Sequence, residues 1–532
     1  MSEKQKEMST SNYPMNRRSF IKISMASAAA SVWPMIHPGG GWSAEGGILK
    51  VRDYSDIKSL DPAFFLAVPE ENINACIYNK LIAFKPGRKW EWELQAAKSI
   101  KQVDPTHIKF ELRDGIIHSN GFGEMTAEDV KYSFERVADP ANKSPNIDDW
   151  GPLEKVEVTG KYTGTIVFKS PFQPVWWTTL PYVTGNIISM KATEKVGGKY
   201  DNNPPSFSGP YMLKEWKPNQ RTVLTRNPVW KGPKSYFDEI QIFPIDDEKT
   251  AEIALESGDV DYTRVSIPSL KNYMENPPKA VKIEKFPSLF WLWVGMNQEN
   301  EQLKDIRIRK AVQYAMDRKT IVDAAYFGFA DVANGNVPPG LIGHRKKTTL
   351  PDKPDYARAK KLLAEAGYSK GIDLTLDILN KSTYNTIAQV IQAVLAPAGI
   401  RVQINIHDSG AFWVLGSEKD SDRWKSIQMI LGRFSSVPDP SYYTRWHLTS
   451  QVGIWNWERF SNEEYDRLDK AALGETDQAK RAAMYIRMQD LMEESGCITF
   501  ITNEVAPVAY RDTIKPTLRP DGLPLLRDFG KV

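Results

Sequence analysis

Between about residues 300 and 410, helix-forming stretches run through tight turns straight into strands. Asp355 is placed to cap a helix carrying Leu362, Leu363 and Ala366, and Gly367 ends it. A second helix over about 386–395 stops at Pro397 and Gly399. Val402-Gln403-Ile404-Asn405-Ile406 then alternates as a strand does. A helix that returns so quickly to strand, more than once, confines this part of the chain to an α/β layer whose strands are covered on both faces. With 532 residues the chain exceeds what one core can serve, so two or three domains are expected.

Elsewhere the elements are marked locally. Ile108-Lys109-Phe110-Glu111-Leu112 alternates as a half-buried strand before the turn at Asp114-Gly115. Thr126 precedes an amphipathic helix with Glu128 and Asp129 in its first turn. Asp305 suits another N-cap, and Ser461 with Glu464 has the spacing of a capping box.

The formal net charge is +3. Lys4, Lys6, Arg17, Arg18 and Lys22, against Glu3 and Glu7, carry all of that excess, so the chain from residue 45 on is neutral. A neutral body has no electrostatic footprint for nucleic acid or an anionic membrane. The basic end reads as an address. Asn16-Arg17-Arg18-Ser19-Phe20-Ile21-Lys22 resembles the twin-arginine export motif, with Arg17 and Arg18 as its paired guanidinium signal. The weakly apolar run 23–36 that follows is too short to span a membrane. Residues 1–44 are therefore expected to be a signal peptide, cut after Ala44, that engages the twin-arginine translocase and leaves the mature protein in the periplasm.

Cys76 and Cys497 could pair in that compartment or remain separate buried thiols. The six histidines form no HxH or HxxxH set, so no metal and no cofactor are expected.

Several stretches, taken in order, resemble the peptide/nickel-type solute-binding proteins of ABC importers. They are Ser59-Leu60-Asp61-Pro62; His118 to Gly121 with Met125 to Val130; Gly209-Pro210-Tyr211 with Lys214-Glu215-Trp216; and Arg226 to Trp230. Asp305 to Ala311, Ala315 to Arg318, Asn334 to Gly340, Ala359 to Gly367 and Asn456 to Asn462 complete the series. The resemblance implies an α/β fold with two lobes, of the type II, cluster C kind, carrying an extra domain and closing by hinge motion around a solute. It places domain I at 45–80, 206–288 and 495–532, domain II (the extra domain) at 81–205, and domain III at 289–494. It also implies a monomer that delivers a peptide or peptide-like solute to ABC permease subunits in the inner membrane.

Two segments would line the cleft. One is Leu66-Ala67-Val68; the other is Gly432 to Pro440, with Arg433, Phe434, Ser435, Ser436 and Asp439. Peptide binders of the family carry Trp where Arg433 stands, and an ammonium-binding Asp where Ser436 stands. A hydroxyl cannot neutralise a buried ammonium, whereas arginine offers a fork suited to an anionic group. Arg433 therefore either meets an anionic group of the solute or pairs with an internal acid such as Asp439 or Asp408. Trp413 and Phe434 are the expected flat contacts. Trp176-Trp177, Trp291/Trp293 and Trp455/Trp457 read as cleft walls or as core, the last two pairs each sharing one strand face.

Two other functions compete. Ser55-Asp56-Ile57-Lys58 matches the S-x-x-K motif of a serine acyl enzyme, but the Lys-Thr-Gly strand that this chemistry needs is missing. A sensor or chaperone of the same fold is the other alternative.

Overall fold

The alternation around Ile108 decides how its sheet is buried. The computed structural model describes residues 46–532, so Arg17, Arg18 and the cleavage expected after Ala44 lie outside the described residues. In the strand His107–Leu112, Ile108, Phe110 and Leu112 face inward. It lies second in an antiparallel four-stranded sheet ordered Ala97–Asp104, His107–Leu112, Thr163–Phe168, Leu153–Val158. The helix Ala127–Ala138 covers the inward face. Its start is fixed by the Asp129 carboxylate, which accepts the Thr126 backbone N–H at 2.8 Å. Phe134 of this helix stacks on buried Trp150 at 4.2 Å, a pairing worth about 0.5–1.5 kcal/mol beyond its buried area.

The second sheet has five strands in the order Ile400–His407, Ile372–Leu379, Met429–Phe434, Trp291–Met296, Ile498–Thr502. The first three run parallel and the last two antiparallel to their neighbours. Helices bring Ile308, Ile321, Leu363 and Ile387 against one face. Trp291, Trp293, Tyr443, Tyr485 and Phe500 pack on the other. Both faces are covered, as the recurring helix-turn-strand pattern requires. Asp305 and Asp355 cap their helices through the backbone N–H groups of Arg307 and Arg358. Two local readings shift. The helix expected from 386 begins at Ser382. The cap expected at Ser461 is Asn462, whose side chain accepts from the Tyr465 N–H at 2.9 Å; Asn supplies that bond as well as Ser, at about 1 kcal/mol.

Beside four two-stranded ribbons, the third large sheet has seven strands, ordered Tyr211–Lys217, Arg221–Arg226, Glu239–Pro244, Ile48–Asp53, Tyr262–Arg264, Val505–Arg511, Val281–Pro287. Among the described residues, the chain passes between the seven- and five-stranded sheets at two places. One crossover is Ser288-Leu289-Phe290 and the other is Asn503-Glu504. The boundary expected at 495 is therefore too early, because Ile498–Thr502 pairs with Trp291–Met296 in the five-stranded sheet. Cys76 and Cys497 are both free and buried.

Candidate ligand-binding site

The strand Met429–Phe434 carries the cleft segment, and its glycine has a steric reason. A Cβ on Gly432 would sit 2.3 Å from the indole of Trp293. Trp293 in turn stacks on Trp291 at 3.9 Å, and both are buried. This tryptophan pair is core.

Arg433 has an internal partner. Its Nε and Nη2 donate to the two carboxylate oxygens of Glu504 at 2.8 and 2.7 Å, and the guanidinium lies 3.6 Å over the Phe290 ring. Tyr326 Oη donates to the same carboxylate at 2.8 Å. Burial disfavours the Arg433 charge, but the Glu504 carboxylate outweighs it and raises the pKa above the ordinary value. The partner is neither Asp439 nor Asp408. Leu292 pairs with Arg433 on one side and with Thr502 on the other, so the sheet order brings Glu504 within reach. Phe290 and Glu504 each belong to one of the two crossovers.

Asp439 is also engaged. Arg481 donates to both of its oxygens at 2.8 and 2.9 Å, with both side chains fully buried. The Ser441 N–H and hydroxyl add 3.0 and 2.7 Å bonds. A carboxylate fully buried in this set of four bonds is out of a solute's reach, and Asp439 is scaffold. Ser435 is exposed, whereas Ser436 Oγ is shielded from water beside the Tyr443 hydroxyl.

Phe434 is the centre of an aromatic wall. Trp413 lies parallel to it at 6.2 Å, while Trp446 and Trp455 meet it at 5.5 and 6.2 Å. Trp413 and Trp455 remain 37% and 38% exposed, beside exposed Val414 and Ile454. Such a wall can take flat or apolar solute groups out of water. Trp457 is buried behind it against Phe412, and Trp455 and Trp457 lie in turns, not on one strand face. Trp176 stacks on Trp92 at 5.5 Å in the four-stranded part. Trp446 and the adjoining Arg445 escaped sequence reasoning, because they follow the Asp-Pro pair in short helical turns with no motif of their own.

Leu66 is 64% exposed, and Ala67 and Val68 begin the helix Val68–Ile77, with Glu70 accepting the Ala67 N–H at 2.9 Å. No hydrogen bond or ring contact joins them to the Phe434 wall among the described residues. Nor does one join Ser55 to Lys58; the Lys58 N–H donates to Glu70 at 2.5 Å.

One contact ties this region to the four-stranded part. Tyr442 Oη donates to Asp149 at 2.5 Å, and Thr184 Oγ1 donates to its other oxygen at 3.0 Å. Burial pushes the Asp149 carboxyl up to about 6, and these two bonds restrain the rise only in part. The folded chain thus holds a proton there that the unfolded chain releases near pH 4. Its stability contribution is present at low pH and is lost as pH rises from about 4 through about 6. Asp149→Asn should flatten that part of the stability profile, measured by urea unfolding at pH 4 and 6.5. An unchanged slope would assign the proton to other buried acids such as Asp53 or Asp469, both also raised to about 6 chiefly by burial.

A family model described as bacterial extracellular solute-binding proteins, family 5, middle matches residues 91–455. The chain belongs to this family. Its curated relatives include the glutathione-binding protein GsiB of Escherichia coli (strain K12), 26% identical over 477 residues, covering 88% of this chain and 91% of that protein. GsiB of Shigella flexneri matches to the same extent. Among solved structures, the periplasmic binding protein DppA from Helicobacter pylori in complex with peptide STSA has a TM-score of 0.72 at 23% identity, covering 91% of this chain and 98% of that one. The substrate-binding protein CtaP from Listeria monocytogenes has a TM-score of 0.81 at 23% identity, covering 92% and 100%. This family 5 chain accordingly has the two-lobed α/β fold of the periplasmic binding proteins.

Proposed function

We propose that this protein is the extracytoplasmic solute-binding component of an ABC importer and that its solute is a peptide or peptide-like molecule. The observation that carries the proposal is the half-exposed wall of Trp413, Phe434, Trp446 and Trp455, built on a family 5 scaffold beside the two crossovers. The relatives named for glutathione and the neighbour holding a peptide support this solute class. In this proposal the seven- and four-stranded sheets form one lobe and the five-stranded sheet the other, with the last boundary at 503–504. Leu66 to Val68 and Ser435 border the cleft. Residues 1–44 address the chain, through Arg17 and Arg18, to the periplasm, where it acts as a monomer with its permease.

The test is a thermal-shift panel of glutathione, di- and oligopeptides, sugars, opines and organic acids. A peptide at about 100 times its Kd should add about 2.7 kcal/mol of stability and raise Tm. A shift given by a sugar and by none of the peptides would replace the solute class.

A further inference from the structure

With Arg433 bound to Glu504, an anionic group on the solute needs another receptor. We infer that Arg445, flanked by Trp446, is a subsite for a carboxylate of the solute; this rests on the solute-binding reading above.

Five other arginines packed around the five-stranded sheet have protein acceptors, although Arg459 leaves its Nη1 unpartnered. Arg433, Arg459 and Arg481 hold carboxylates, and Arg309 and Arg318 hold backbone carbonyls. Arg445 does neither. No carboxylate lies within 4.0 Å of it among the described residues, and its Nε is shielded from water without a hydrogen-bond partner. The two carboxyls whose charges it feels, Asp149 and Asp469, are already occupied by Tyr442 with Thr184 and by Thr444.

The guanidinium is nevertheless held in place. Its central carbon lies 3.8 Å from the Tyr442 ring centre and 4.3 Å from that of Trp446. Stacking on ring faces fixes the plane and leaves the N–H edges to find acceptors. Trp446 Nε1, the next residue's donor, is likewise buried and unpartnered. Buried donors without acceptors are costly, and here two occur on adjacent residues at one wall. Trp446 touches Phe434 and Trp455 at 5.5 and 5.9 Å, so a group held at Arg445 adjoins the apolar surface. A planar carboxylate accepts a guanidinium bidentately, while the rest of the solute lies along the rings.

Two readouts test this. Phenylglyoxal labelling of the wild-type protein, followed by peptide mapping, should modify Arg445 in preference to Arg433. Glutathione, trialanine or succinate should protect it. An inert Arg445, or labelling that none of the three slows, overturns the proposal. Calorimetry then compares glutathione and trialanine with glutathione diethyl ester and trialanine amide. Wild type should prefer the acids at least tenfold, Arg445→Met should abolish the preference, and Arg445→Lys should keep part of it. Circular dichroism checks that both variants fold. Equal affinity for acid and neutral forms, or a preference that survives in Arg445→Met, also overturns it. If neither peptide binds in either form, the peptide reading of the function fails, and protection by succinate alone decides Arg445.

Discussion

Asp439→Ala should lower the unfolding free energy by about 3–5 kcal/mol, the range for breaking a fully buried ion pair from one side. The variant leaves Arg481 charged, unexposed and without its two carboxylate bonds. It also strips the Ser441 N–H and hydroxyl of their acceptor. Urea unfolding should show an earlier midpoint with little change in slope. The protein that remains folded should keep its solute affinity, because the fully buried Asp439 is out of a solute's reach. A wild-type midpoint combined with lost affinity would return Asp439 to the binding site.

Arg433→Ala should act on closure as well as stability. The loss of a charge-assisted pair to Glu504 is worth about 2 kcal/mol. The same change frees both crossovers, since Arg433 lies on Phe290 of one and grips Glu504 of the other. Glu504 sits at φ +57°, a left-handed conformation that glutamate adopts only at a cost, and without Arg433 that backbone has less to hold it. Small-angle scattering should show a larger radius of gyration for the empty variant than for empty wild type, and a greater contraction when saturated with solute. Glu504→Gln should give a weaker form of the same change. Identical scattering for wild type and Arg433→Ala, empty and filled, would separate this arginine from the hinge.

What was legible in the sequence was local. The strand around Ile108 and the caps at Thr126, Asp305 and Asp355 depend on neighbours within a few residues, so alternation and side-chain type suffice to find them. Ordered motifs along the chain carried the family. The candidate site was legible only in its aromatic part, because Phe434 and Trp413 meet whatever else surrounds them. Arg433 and Glu504 stand 71 residues apart and are joined through the row Arg433, Leu292, Thr502. Nothing short of the strand order reveals that row. Trp455 and Trp457 misled for a related reason: a spacing of two signals a shared face only on a strand, and these lie in turns.

The crossovers also govern the order of assembly. Pro287 and Val505 are direct partners across an antiparallel ladder, so everything between them leaves the seven-stranded sheet and returns at a single point. Val281–Pro287 has Val505–Arg511 as its one neighbour in that sheet. During synthesis the edge that Val505–Arg511 will cover therefore stays unpaired until the whole five-stranded half has been made. Such an edge invites pairing with other chains. A nascent chain moved across a membrane at that stage would travel with the edge open, whereas one moved after folding carries it closed.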